Sequence, residues 1–169
     1  YQFSGPKPRL SAASFKSFYP NPDNKLLEIL CFCLMPNHFH FMVKQLKDDG
    51  ISIFMSQISN SYTKYFNTKY KRVGALLQGS FKSVLVESDG QLLHLSRYIH
   101  LNPVVSEICK TPSEYDWSSL NEYLGAESIC DTSLILSMFI SREDYLEFTK
   151  DQIEYGKALE ITKHKLVDL

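Results

Sequence analysis

LLEILCFCLMPNHFHFMV, residues 26–43, holds a turn and the two runs that it joins, and its reading sets the fold. Leu26 to Met35 is almost continuously apolar with few helix signals, which predicts a strand buried on both faces. Pro36-Asn37 is turn chemistry, and His38 to Gln45 returns as a second strand to make a hairpin. Side chains alternate along a strand, so His38 and His40 face one way while Phe39, Phe41 and Val43 enter the core on the other. Two imidazoles on one face are half of a metal site.

Downstream of Asp48-Asp49-Gly50, apolar residues fall at Ile51, Phe54, Met55, Ile58, Tyr62, Tyr65 and Phe66. That spacing of three and four predicts a helix laid on the sheet, with Tyr62 and Tyr65 as core aromatics. Phe81 to Glu87 alternates and is rich in β-branched residues, as a further strand would be. Asp89 is a candidate N-cap, Leu92, Leu95, Ser96 and Ile99 form a buried stripe, and Pro103 is expected to end that helix. Tyr98 lies off the stripe, and Asn102 follows one turn later on the same face. Metal ligands beside a displayed tyrosine point to phosphoryl chemistry on DNA.

The order strand, strand, helix, strand, helix becomes a ferredoxin-like α+β sandwich if one more strand and helix precede Leu26: an antiparallel sheet with helices on one face. Residues 1–105 would form this core. Residues 106–169 are expected to form a mostly helical C-terminal extension, through Leu120 to Leu124, Leu134 to Ile140 and Tyr145 to Leu159. The opening residues 1–25 carry four of the seven prolines and read as loop.

A chain of 169 residues with 44% hydrophobic and 13% aromatic content can bury a substantial core. No apolar run approaches the roughly 20 residues of a membrane span, so no membrane partner is expected. No secretory signal pattern is legible. Cys31, Cys33, Cys109 and Cys130 are too sparse for a disulfide scaffold and fit a reducing cytosol, so a cytoplasmic location is expected. The net charge of −1 conceals an asymmetry. Lys44 to Lys82 holds seven basic and two acidic residues, whereas Val104 to Leu169 holds six basic and thirteen acidic. A basic central segment beside an acidic tail is compatible with a localised DNA-binding face.

Four stretches carry a family resemblance: Met35-Pro36-Asn37-His38-Phe39-His40, Gln78-Gly79-Ser80-Phe81-Lys82, Tyr98-Ile99-His100-Leu101-Asn102-Pro103-Val104 and Tyr115-Asp116-Trp117-Ser118-Ser119. From about Leu26 to Leu124 the chain resembles the single-tyrosine HUH transposases, in particular their REP-associated branch. The resemblance implies an enzyme that cuts and rejoins single-stranded or hairpin DNA through a 5′-phosphotyrosine. It implies Tyr98 as the nucleophile, with His38, His40 and Asn102 as metal ligands, because the family carries a metal-binding amide four residues after the tyrosine. It also implies that the first strand of the sandwich lies upstream of Tyr1 or within the opening residues. Relatives include monomers and homodimers.

Two imidazoles and an amide oxygen leave positions open for water and phosphate oxygen, which suits Mg²⁺ or Mn²⁺. Zinc is the competing reading. Cys31 and Cys33 share a strand face, and a two-residue turn would set Cys33 across from His40. The spacing is unlike the usual finger, and an apolar strand commonly hides cysteine as a small hydrophobe. For DNA the candidates are Lys64, Lys69, Lys71, Arg72 and Lys82, with Tyr62, Tyr65, Tyr70 and Phe81 interleaved as faces on which bases could stack. Ser80 stands where relatives often have a basic residue. His94, one turn before Tyr98, is a candidate DNA or proton-transfer partner and otherwise an ordinary surface residue. The reading from another class is a non-catalytic DNA-binding domain of the same fold, or a zinc-stabilised binding module.

Overall fold

The computed structural model describes residues 25–157. The opening residues, where a first strand was sought, lie outside them. Strand β1 (Leu27–Leu34) and strand β2 (Phe39–Gln45) pair antiparallel, with Leu34 opposite Phe39 and Cys33 opposite His40. Met35 N–H donates to His38 O at 2.9 Å, so Pro36-Asn37 is the two-residue turn that the sequence requires. Between Ile29 and Cys31 the register slips, and Leu30 is the extra residue of a bulge.

The two faces of this hairpin meet different helices. Phe41 packs on Phe54 of helix α1 (Gly50–Tyr70) with ring centroids 5.7 Å apart, while His40 on the opposite face meets helix α2 (Asp89–Val105). The class is α+β, as expected. The helices, however, lie on both faces of the two described strands instead of one. Helix α1 enters tightly: Leu26 O accepts from Leu46 N and Lys47 N, and a Cβ on Gly50 would collide with that same carbonyl. Beyond this entry the helix rises off the sheet. Only Gly50 and Met55 are buried along its length, and Tyr62 and Tyr65 are 44% and 57% exposed, so they are not core aromatics.

Residues 81–87 do not form the expected strand. A strand exists through hydrogen bonds to a neighbour, and the sheet of the described residues has two strands only. Val84 and Leu85 are 85% and 77% exposed, so alternation alone did not bury this run. Helix α2 also differs in its ends. Its N-cap is Ser88, whose Oγ accepts from Gln91 N while Gln91 Oε1 accepts from Glu87 N, and Asp89 is the first helical residue. Pro103 lies inside the helix, which ends two residues later at Val105, and the C-cap Ser106 N donates to Asn102 O. Proline removes one donor, and so near the end a single lost bond does not break the helix. Of the expected stripe, Leu92, Ser96 and Ile99 are buried and Leu95 is partly buried.

The residues after Val105 close the free edge of β1. Leu34 N donates to Trp117 O, Phe32 N to Ser119 Oγ, and Ser119 N to Phe32 O, with Cys33 and Ser118 in a bridge. Tyr115 and Tyr123 then donate their hydroxyls to Leu34 O and Leu30 O, each at 2.7 Å, and Asp131 N donates to Ile29 O. An edge strand exposes unpaired backbone, and here a chain segment and two phenols satisfy it in turn. Behind that edge stand the short helices α3 (Leu120–Tyr123) and α4 (Ser133–Leu136) and the longer α5 (Arg142–Lys150). Leu120, Tyr123, Ile135 and Tyr145 share one core with Leu30, Cys31, Cys33, Met42, Leu92 and Ile99. Among the described residues no helix is long and apolar enough to cross a membrane, and the four cysteines are free.

Candidate active site

His38 and His40 sit on the β2 side of the hairpin turn with ring centroids 4.9 Å apart and ring planes near perpendicular. His38 is exposed, and its Nδ1 is 2.6 Å from Asn37 Oδ1. A carbonyl oxygen only accepts, so Nδ1 donates to Asn37 and Nε2 is the ring nitrogen left for another partner. His40 is half-buried; desolvation first, and the nearby His38 second, hold its pKa below the ordinary value, so its ring is neutral at pH 7. A neutral imidazole is the form that binds a cation.

Helix α2 crosses this face. The Tyr98 ring lies 5.5 Å from that of His40, edge to face, and Asn102 Nδ2 lies 3.2 Å from His40 Nε2, donating to its lone pair. Turning the amide about its last bond would present Oδ1 there instead. Tyr98 is 47% exposed and its phenol is displayed, while Asn102 is buried against the strand. The structure therefore brings His38, His40, Tyr98 and Asn102 to one place, from two elements that are sixty residues apart.

What sets α2 in this orientation is a residue to which sequence reasoning gave no role. His100 is fully buried, with Nδ1 at 2.7 Å from Tyr145 Oη and Nε2 at 2.8 Å from Ser119 Oγ. Its ring stands edge-on to Tyr123 and Tyr145. Burial pushes its pKa down to about 3, so it is a neutral connector between α2, α5 and the closed edge of β1. Two residues along a helix are about 200° apart, so an inward His100 turns Tyr98 and Asn102 outward to the histidine face. The available signal was a lone imidazole in the apolar run Ile99 to Val104.

His94 does not join the cluster. Its Nδ1 lies 2.7 Å from Arg97 Nη2, and Arg97 stacks over the Phe148 ring at 4.3 Å, which ties that side of α2 to α5. Of the basic candidates, Lys64 and Lys69 lie on the second half of α1, Lys71 and Arg72 follow its end, and Lys82 stands in the exposed segment beyond. None of them is on β2 or α2.

Zinc fares poorly. Cys33 does lie across from His40, but its thiol is buried, donates to Met35 Sδ and is pushed up to about 12 by desolvation; Cys31 is raised further for the same reason. Zinc binds thiolate, which this environment opposes. Among the described residues no three or more His, Cys, Asp or Glu side chains are grouped to hold a metal ion.

Residues 14–102, more than half of the chain, match the family described as transposase IS200 like. The chain belongs to the IS200-like transposase family. Neither a curated protein nor a solved structure matches it. Membership makes this IS200-like protein an enzyme of the transposase kind with DNA as its partner, in a family that is generally dependent on divalent metal.

Proposed function

We propose that this IS200-like protein is a metal-dependent DNA strand transferase that cuts and rejoins single-stranded or hairpin DNA through a 5′-phosphotyrosine. The observation that carries the reading is the meeting of Tyr98 and Asn102 with His40, whose ring also neighbours His38. The Tyr98 phenol loses its proton and its oxygen attacks phosphorus; the P–O bond to the 3′-oxygen breaks, and that oxygen takes up a proton. One phosphodiester replaces another, so a second 3′-hydroxyl can reverse the step without ATP. His38, His40 and Asn102 fit a hard cation such as Mg²⁺ or Mn²⁺, since Asn37 engages His38 Nδ1 and leaves its Nε2 for a ligand, and burial favours the neutral His40 ring. When bound, such an ion would neutralise phosphate oxygens and favour attack by the phenol oxygen. The motifs at Tyr98–Val104 and Tyr115–Ser119 support the REP-associated branch, and the protein would act as a monomer or homodimer.

Incubating the protein with labelled single strands that flank a hairpin, with and without Mg²⁺, tests this. The expected result is metal-dependent cleavage that His38→Ala/His40→Ala abolishes while the variant stays folded. Intact substrate under every metal condition, with DNA still bound, would reverse the reading in favour of a non-catalytic DNA-binding domain.

Lys64, Lys69, Lys71, Arg72 and Lys82 are proposed to neutralise DNA phosphates. Each contact releases counterions, so replacing Lys71 and Arg72 with alanine should flatten the slope of log affinity against log salt by roughly one to two, at about 0.7 per phosphate on single strands. An unchanged slope in a salt titration would move the binding face elsewhere.

A further inference from the structure

The second half of α1 displays its aromatic rings to solvent. A step of four residues turns about 40° around a helix, so the series Phe54, Ile58, Tyr62, Phe66, Tyr70 starts against the sheet and winds away from it. Phe54 meets Phe41, whereas Tyr70 is 52% exposed. Along the way the rings touch: Tyr62 and Phe66 have centroids 6.1 Å apart, and Phe66 and Tyr70 4.5 Å. Cations border this ladder. Lys69 Nζ lies 5.5 and 5.4 Å from the rings of Tyr65 and Tyr70, and the Arg72 guanidinium 5.7 Å from that of Phe66.

The sequence around it is one-sided. From Gly50 to Val86 there are five basic side chains and no carboxylate. A partner for such a surface must bring flat apolar faces and negative charge together. Unpaired nucleotides do so, because each base has a face to stack and each phosphate a charge to neutralise, whereas a duplex hides its base faces. An acidic protein surface would supply the charge but not the flat faces.

We infer that the ring ladder of exposed Tyr62 and Tyr70 with half-buried Phe66 between them, and Lys69 and Arg72 at its border, is a stacking platform for unpaired bases of the DNA substrate. The inference rests on the DNA reading above and extends it: the segment beyond the reacting phosphate is held by its bases as well as its backbone. Tyr62 and Tyr70 stand at exposed positions, so removal of either ring should leave the fold intact.

The test is fluorescence anisotropy of the full chain with an oligothymidylate of about a dozen nucleotides, long enough for a single-strand site, and with an abasic strand of the same length. Wild type should prefer the oligothymidylate. Tyr62→Ala and Tyr70→Ala should each weaken its binding by roughly five- to a hundred-fold, the range that loss of one stacked base implies. Both should leave abasic binding unchanged, and Tyr70→Phe, which keeps the ring, should retain wild-type affinity. Equal binding of the two strands by wild type, or alanine variants that bind oligothymidylate like wild type, overturns the platform and leaves the DNA reading standing. A wild-type chain that binds neither strand overturns both. A dimer in light scattering that Tyr70→Ala dissociates would show that a second copy, and not DNA, covers these rings.

Discussion

Tyr98→Phe is expected to bind DNA as wild type does and to form no covalent protein–DNA adduct. The exchange removes one oxygen from a ring that is half exposed and whose edge still meets His40. Folding and DNA affinity therefore have little to lose, while strand transfer loses its proposed nucleophile, at a cost on the order of 10³-fold or more. Asn102→Ala should act differently, keeping the phenol but losing the metal-dependent part of the rate. Denaturing gels with 5′-labelled strands, followed by mass spectrometry of the adduct, read both outcomes. An adduct that persists in Tyr98→Phe and maps to another tyrosine would displace the proposed active site.

Loss of the His100 ring should bring the largest fall in stability. His100→Ala empties a site packed edge-on against the stacked rings of Tyr123 and Tyr145 and removes the imidazole's bonds to the Tyr145 hydroxyl and to Ser119 Oγ, which keeps its bonds to Phe32. A cavity of this size together with two lost buried hydrogen bonds costs about 3–5 kcal/mol, enough to lower Tm by roughly 10 °C. The same residue makes the fold sensitive to acid. In the native state its pKa is about 3, against 6.5 as the ordinary value, so between these limits the unfolded chain holds one proton more than the folded one. Stability is full above the unfolded pKa and falls as the pH drops below it, by about 1.4 kcal/mol per unit from this group. Urea titrations of wild type and His100→Gln from the lower of these limits up to neutral pH should show the variant less stable at neutral pH and flatter in its pH dependence. Parallel pH profiles would mean that His100 takes up its proton in the native state.

The hairpin and the shared face of its histidines were legible because they are local, whereas Phe39, Phe41 and Val43 are only partly buried and the core residue of β2 is Met42 on the histidine face. Proline and asparagine dictate a two-residue turn, that turn sets Cys33 opposite His40, and a period of two puts His38 and His40 on one face. The placement of Tyr98 and Asn102 one turn apart is likewise a property of a single helix. Caps are local too, yet Ser88 and Asp89 are neighbours of equal aptitude, and only the bond from Gln91 N selects the first.

Partner choice is not local, and there the tertiary structure decided. Alternation in residues 81–87 suits a strand, but no described strand lies beside it. The apolar spacing of α1 suits a long contact with the sheet, but the helix meets the hairpin mainly through its first turns and leaves Tyr62, Tyr65 and Tyr70 outside. Nothing in the order of residues 98–102 says which side of α2 turns inward. That follows from His100 finding Tyr145 and Ser119, groups 45 and 19 residues away, in a core where a polar ring is stable only if both nitrogens are satisfied. The segment after Val105 was legible as helical but not as the cover of the β1 edge, because backbone groups pair with any chain that geometry brings within reach. Periodicity determines what each element can present, and packing determines to whom it is presented; the candidate site forms where α2 brings Tyr98 and Asn102 against the histidine face of β2.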